Sequence, residues 1–248
     1  MGYLFYVLIL AILVYVIYRN INLYLSYRNN KGYISCYQDL LLNEDNTLQK
    51  IDDYIASQKS EESINKAKLL RLYALIDNDL DYRDTIDELD FKPIFFENGK
   101  ASKSKLSFNN DIFVWLYLCL AKARNTSKFD VLETLNEKIN DLHLDNRLEV
   151  KQAGAIYNAL SENDTSGVDF LNDVLQGNYI DYDYDKQLIG LYKRFAAATL
   201  AYCAEPLDDY YKEDLRKFAS TMIGQNYLKN LEIYDKYPPL NNETTSEE

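Results

Sequence analysis

The chain has 248 residues, a formal net charge of −12, and only 8 glycines and 4 prolines. So few turn-forming residues argue against an all-β fold and point to helices throughout. The first 31 residues hold three positive charges and no negative one, so the rest of the chain carries −15. A domain that acidic repels nucleic acid, whose binding depends on neutralised phosphates.

Residues Gly2 to Tyr18 form an uncharged, apolar run. As a helix it would be about 25 Å long, the lower end of what crosses a bilayer. Tyr3 and Tyr6 at one end, and Tyr15 and Tyr18 towards the other, suit an interfacial belt, and Arg19 can reach the headgroups. The alternatives are a cleaved signal peptide, which lacks its basic leader and small-residue cleavage site here, and a buried core helix. Gly2 does not read as a myristoylation site, because Tyr6 stands where the motif needs Ser or Thr. Arg19, Arg28 and Lys31 all follow the run, which predicts an N-terminus outside and the large domain in the cytoplasm. The expected organisation is an anchor at 1–19, a basic juxtamembrane segment at 20–32, a helical domain at 33–237 and a disordered acidic tail at 238–248.

Within the helical domain a short pattern recurs. It runs Ile34-Ser35-Cys36-Tyr37, Leu70-Arg71-Leu72-Tyr73, Val114-Trp115-Leu116-Tyr117, Gly154-Ala155-Ile156-Tyr157 and Ile189-Gly190-Leu191-Tyr192, with tyrosines 36, 44, 40 and 35 residues apart. Each pattern lies on an apolar stretch with helical spacing. Each is followed by a second amphipathic stretch, at about 47–58, 82–90, 127–140, 165–176 and 208–222. Such pairs stack into α-solenoids, because one pair cannot bury its apolar face alone. Tyr37, Tyr73, Tyr117, Tyr157 and Tyr192 are the expected packing residues. Ser60 is the expected cap of the helix through Tyr73, one of Asn109, Asn110 and Asp111 that of the helix through Trp115, and Asp183 or Asp185 that of the helix through Tyr192. Gly177-Asn178 is the expected stop of the preceding helix.

Residues 91–108 interrupt the period. Their first half holds Phe91, Phe95 and Phe96 and is expected to pack back onto the domain. Their second half holds Lys100, Lys103 and Lys105 and is expected to be a solvated loop. Together Phe95, Phe96, Lys100, Lys103 and Lys105 are the candidate contact for an acidic partner or a lipid headgroup.

The unit around Gly154 resembles a tetratricopeptide repeat. Gly154 and Tyr157 are three apart, Phe170 follows Tyr157 by 13 residues, and Ile86 follows Tyr73 by 13. The resemblance covers about 33–226 by architecture. The small residues of the second helix and the closing proline of that family are mostly missing, and Glu205 stands at the matching offset from Tyr192. The expected fold is all-α: the transmembrane helix read from the apolar run, then a tetratricopeptide-like solenoid of about five helix pairs, for which the resemblance implies a concave groove that binds proteins or peptides.

Residues that carry chemistry are sparse. The single histidine, His143, sits in a link between helices with no converging partners. Asp181, Asp183 and Asp185 imitate the start of a calcium loop, but Lys186 replaces the required Gly and Tyr192 the required Glu. Cys36, Cys119 and Cys203 read as free buried thiols in a reducing compartment. No phosphate-binding glycine loop or HExxH motif occurs, and no metal, cofactor or catalytic residue is expected. The expected function is a membrane-tethered helical-repeat scaffold for an unknown protein or peptide partner at the cytoplasmic face. The alternatives are an extracytoplasmic anchored module for binding or envelope assembly, and an α-helical enzyme using Asp52-Asp53 and Asp208-Asp209.

Overall fold

The computed structural model describes residues 31–161 and 165–240. The chain is mostly helical there, with one two-stranded sheet. Helix α1 covers 31–42, α2 Thr47–Ser57, α3 Glu61–Asp77 and α4 Arg83–Glu88. Then come α5 Lys92–Phe95, strands β1 Phe96–Glu97 and β2 Lys100–Ala101, and α6 Lys103–Phe108. The chain goes on through α7 Asp111–Asn125, α8 Phe129–Asn140, α9 Leu148–Ser161, α10 Thr165–Gln176, α11 Ile189–Tyr202, α12 Asp209–Ala219 and α13 Met222–Asn230. Among the described residues no helix is long and apolar enough to cross a membrane; the candidate span at 2–18, with Tyr3, Tyr6, Tyr15, Tyr18 and Arg19, lies outside them. So does the tail beyond residue 240.

The tyrosine-marked stretches form α1, α3, α7, α9 and α11, hereafter the first helices. The second stretches form α2, α4, α8, α10 and α12. Helix α3 packs on α7, α7 on α9, and α9 on α11. Contacts also run from α2 to α3, α8 to α9 and α10 to α11, so these second helices sit against the first helix of the next pair, while α4 packs on α3 and α8. Helix α7 is the centre of the domain. Every residue from Ile112 to Ala121 is buried, as a helix walled in by α3, α8, α9 and α13 must be.

Aromatic rings lock this stack. Trp115, fully buried, lies edge-on between Tyr37 at 5.1 Å and Tyr73 at 5.4 Å. Further along, Phe195 meets Tyr117 at 5.1 Å, Phe218 at 5.4 Å and Tyr227 at 4.6 Å. Edge-to-face pairs of this kind each add about 1 kcal/mol beyond the area they bury. Of the pattern tyrosines, Tyr73, Tyr117 and Tyr192 are buried, while Tyr37 and Tyr157 are half-buried against the core.

The helix ends differ in detail from the sequence expectations. Ser60 precedes α3 with extended backbone, but its side chain makes no cap bond. Glu61 and Glu62 supply the favourable charge in that first turn. Asn110 precedes α7, yet its side chain is turned away to Asp185. Neither Asp183 nor Asp185 caps α11, which starts after Leu188; Asp185 instead accepts from the Gln187 backbone at 2.8 Å. Gly177, at φ 91°, ends α10 in the left-handed conformation that glycine tolerates.

The insertion at 91–108 is ordered along its length. Asn98 and Gly99 both have positive φ and turn β1 into β2, the usual chemistry of a tight hairpin. The second half is therefore a strand and a short helix rather than a solvated loop. Lys105 is held there by Glu62 at 2.9 Å and the Pro93 carbonyl at 2.8 Å.

Candidate functional site

The first helices run side by side, and their common face divides into two ends. Helix α13 lies across the C-terminal ends. Its Asn226 donates to the Leu41 carbonyl at 3.1 Å, and its Asn230 donates to the Tyr73 hydroxyl at 3.1 Å. Tyr227 shares a 2.8 Å hydrogen bond with Thr199 on α11. Gly224 is required in this helix, since a Cβ there would stand 2.0 Å from the Phe218 carbonyl oxygen. Helix α13 thus covers part of the face at this end, and Tyr73, Tyr117 and Tyr192 lie in the core, as expected of packing residues.

The N-terminal ends are built differently, around polar side chains. Lys66 on α3 is 6% exposed, a rare environment for an ammonium group. It donates to the Asn109 amide oxygen at 3.0 Å and lies 3.6 Å from the Asp111 carboxylate. Its charge also stands over the Tyr33 ring at 4.5 Å and near the Phe108 ring at 5.8 Å. Asn109, fully buried, donates in turn to Glu62 and to the Ile94 carbonyl, both at 2.9 Å. These bonds bolt the insertion to α3 and fix the position of Phe108.

A cleft of about 350 Å³ opens beside this lysine. Its walls are Tyr33, Ile34 and Tyr37 of α1, Lys66, Phe108 and Asp111. Ile34 is 41% exposed and Phe108 is 55% exposed, so two large apolar side chains stand in solvent at its mouth. The Tyr33 side chain is 4% exposed, and its hydroxyl has no hydrogen-bond partner among the described residues. Burial, with the nearby Asp111 charge and a contact short of good hydrogen-bond geometry, pushes its pKa well above the usual phenol value. Burial, then Asp111, raises that of Tyr37 to about 12. Both phenols are therefore neutral donors at any physiological pH.

The polar seam continues away from the cleft. Asn110 reaches Asp185, whose backbone N–H donates to Glu149 at 3.1 Å. Glu149 is fully buried and is held by Arg147 at 2.8 Å. The hydroxyl of Tyr117 donates to the Glu149 carbonyl, and Gln152 to that of Tyr192, each at 2.8 Å. This network stitches α7, α9 and α11 together with groups turned inward, so it reads as structural.

The sequence candidates fall in various places. Phe95 is fully buried and stacked on Phe113 at 5.1 Å, and Phe96 is half-buried beside the core. Lys100 and Lys103 are exposed, while Lys105 is engaged as described. Asp52 is paired with Arg71 at 2.6 Å and Asp209 with Lys212 at 2.8 Å. His143 is exposed in the α8–α9 turn. Asp183 accepts from Asn146 at 3.0 Å, in a loop tied to the start of α9. Cys36 and Cys119 are buried and Cys203 is half-buried, and burial raises all three thiol pKa values, which keeps them unreactive. Among the described residues no group of three or more His, Cys, Asp or Glu side chains can hold a metal ion.

The cleft residues Tyr33, Lys66, Phe108 and Asp111 were not legible as a site. A signal for one of them existed: Lys66, Leu70 and Tyr73 are spaced four and three apart, which puts the lysine on the buried face of α3. Comparison of the chain with protein-family models, curated proteins and solved structures finds no match.

Proposed function

We propose that the protein is a membrane-tethered scaffold whose helical domain is a tetratricopeptide-like solenoid of five helix pairs closed by α13. The stepwise contacts of α3, α7, α9 and α11, and of α2, α8 and α10 on the next first helix, support the solenoid reading. The uncharged run at 2–18 and the three basic residues that follow it support a single span with the domain on the cytoplasmic side. The observation that carries the binding role is the cleft at the N-terminal ends of the first helices. There a buried ammonium, an unpartnered hydroxyl and two exposed apolar side chains converge. Groups left in that state by folding are available to a partner.

The test has two parts. The full chain is expected in the membrane fraction after alkaline wash, and a variant lacking residues 2–18 in the soluble fraction. A cysteine placed at Ser246 is expected to react with an impermeant maleimide only after cell lysis. Labelling of intact cells would reverse the orientation and favour the extracytoplasmic module. Release of the full chain by alkaline wash would remove the tether altogether.

A further inference from the structure

We infer that the cleft is a headgroup site for a zwitterionic phospholipid of the membrane that holds the chain. The phosphodiester sits on Lys66 and Tyr33, the ammonium faces Asp111, and the glycerol end lies on Ile34 and Phe108. This rests on the anchor reading above.

Three observations carry it. The first is unused hydrogen-bonding capacity. Lys66 has three N–H donors and makes one hydrogen bond; its 3.6 Å contact with Asp111 is an ion pair without one. The Tyr33 hydroxyl meets Asp111 only in poor geometry, so both side chains keep hydrogen-bonding capacity that an oxyanion can use. The second is the charge arrangement. Lys66 and Asp111 present one positive and one negative group side by side, matching a head that carries both signs. The domain as a whole carries −15 beyond residue 31, which disfavours a head with net negative charge. The third is place. The 15 residues from Arg19 to Tyr33 span at most about 50 Å, which keeps the cleft within that distance of the bilayer and lets it reach the surface. Ile34 and Phe108, 41% and 55% exposed at the mouth, then meet a surface that receives apolar groups.

The experiment uses the full chain in nanodiscs of phosphatidylcholine doped with a photoactivatable phospholipid, with the crosslinked residues located by mass spectrometry. A phosphatidylethanolamine probe is expected to label the segment around Ile34 and Tyr37 and the segment around Phe108. Labelling there should exceed that by phosphatidylglycerol or diacylglycerol probes at least fivefold. Phe108→Ser, at an exposed position, should cut cleft labelling at least threefold with the thermal midpoint unchanged. Lys66→Gln should remove the preference for the phosphate-bearing probe. Labelling of residues 3–18 reports the anchor separately. If those residues are labelled and the cleft is not, the inference fails while the tether stands; if neither is labelled, both fail. Equal or stronger cleft labelling by phosphatidylglycerol or diacylglycerol also overturns the headgroup assignment.

Discussion

The two ends of the first-helix face are made from the same five helices, yet one is crossed by α13 and the other is built around a polar cleft. At the C-terminal ends, α13 delivers Tyr227 and Leu228 into full burial. Its Asn230 and Tyr227 find partners in Tyr73 and Thr199. At the N-terminal ends, the buried Tyr33 hydroxyl lacks a partner and Ile34 and Phe108 remain in water. An interior is ordinarily paired and dry, so the first end is what stability alone produces. The second departs from that rule at Tyr33, as the interior does at Trp115, Gln152 and Tyr192, but at Tyr33 the departure lies beside a cleft with exposed apolar side chains at its mouth.

The comparison breaks most completely under alkali. Tyr33, Tyr73, Tyr117, Tyr192 and Tyr227 all have raised pKa values, each chiefly through burial. A raised phenol pKa means that the folded state favours the proton. The resulting stability is full below the unfolded value near 10 and is lost as pH climbs towards the folded value. The slope is up to about 1.4 kcal/mol per pH unit for each such tyrosine. Cooperative unfolding is therefore expected above pH 10, with phenolate absorbance rising in step with loss of helical circular dichroism. Tyr37, at about 12, contributes between pH 10 and 12. Exposed tyrosines such as Tyr210 ionise first, so it is the remaining phenolate absorbance that should follow melting; its completion while the helices persist would show the buried rings to be accessible.

Phe195→Ala strikes the α13 end next. It removes a ring that touches Tyr117, Phe218 and Tyr227, and is expected to cost about 4 kcal/mol in urea denaturation. Gly224→Ala forces a methyl into the Phe218 carbonyl and is expected to cost about 3 kcal/mol, with amide exchange rising first in α13. Asn230→Ala leaves the buried Tyr73 hydroxyl unpaired, for about 1 to 2 kcal/mol. Phe108→Ser, at the cleft end, should change stability by no more than about 0.5 kcal/mol. A large loss there would show that the cleft mouth is part of the core after all, and would erase the distinction between the two ends.

Much of the fold was legible from residues alone. Apolar spacing near 3.6 identifies a helix whatever it packs on, so the pattern around Tyr73 or Tyr192 located α3 and α11. The hairpin turn at Asn98-Gly99 went unread inside a segment expected to be a loop, although both residues tolerate the positive φ it needs. The caps were less legible. Several polar side chains flank α7 and α11, and which of them serves its own helix is decided by neighbours: Asn110 is drawn off by Asp185. The insertion misled for a similar reason. A run of lysines reads as solvated, but Lys105 finds Glu62 across a contact 43 residues away in sequence.

By itself, then, the sequence determined the mostly helical character of the described residues, the helices that carry the five tyrosines, the uncharged run and the sign of the charge. These follow from periodicity and composition, which are local or additive. Only the tertiary structure decided that α13 returns across the face to meet Leu41 and Tyr73, and that Lys66, Tyr33, Phe108 and Asp111 share one cleft. Both depend on contacts between residues far apart in the chain, for which no single-sequence pattern carries a signal, because the energy of such a contact exists only once the stack has formed.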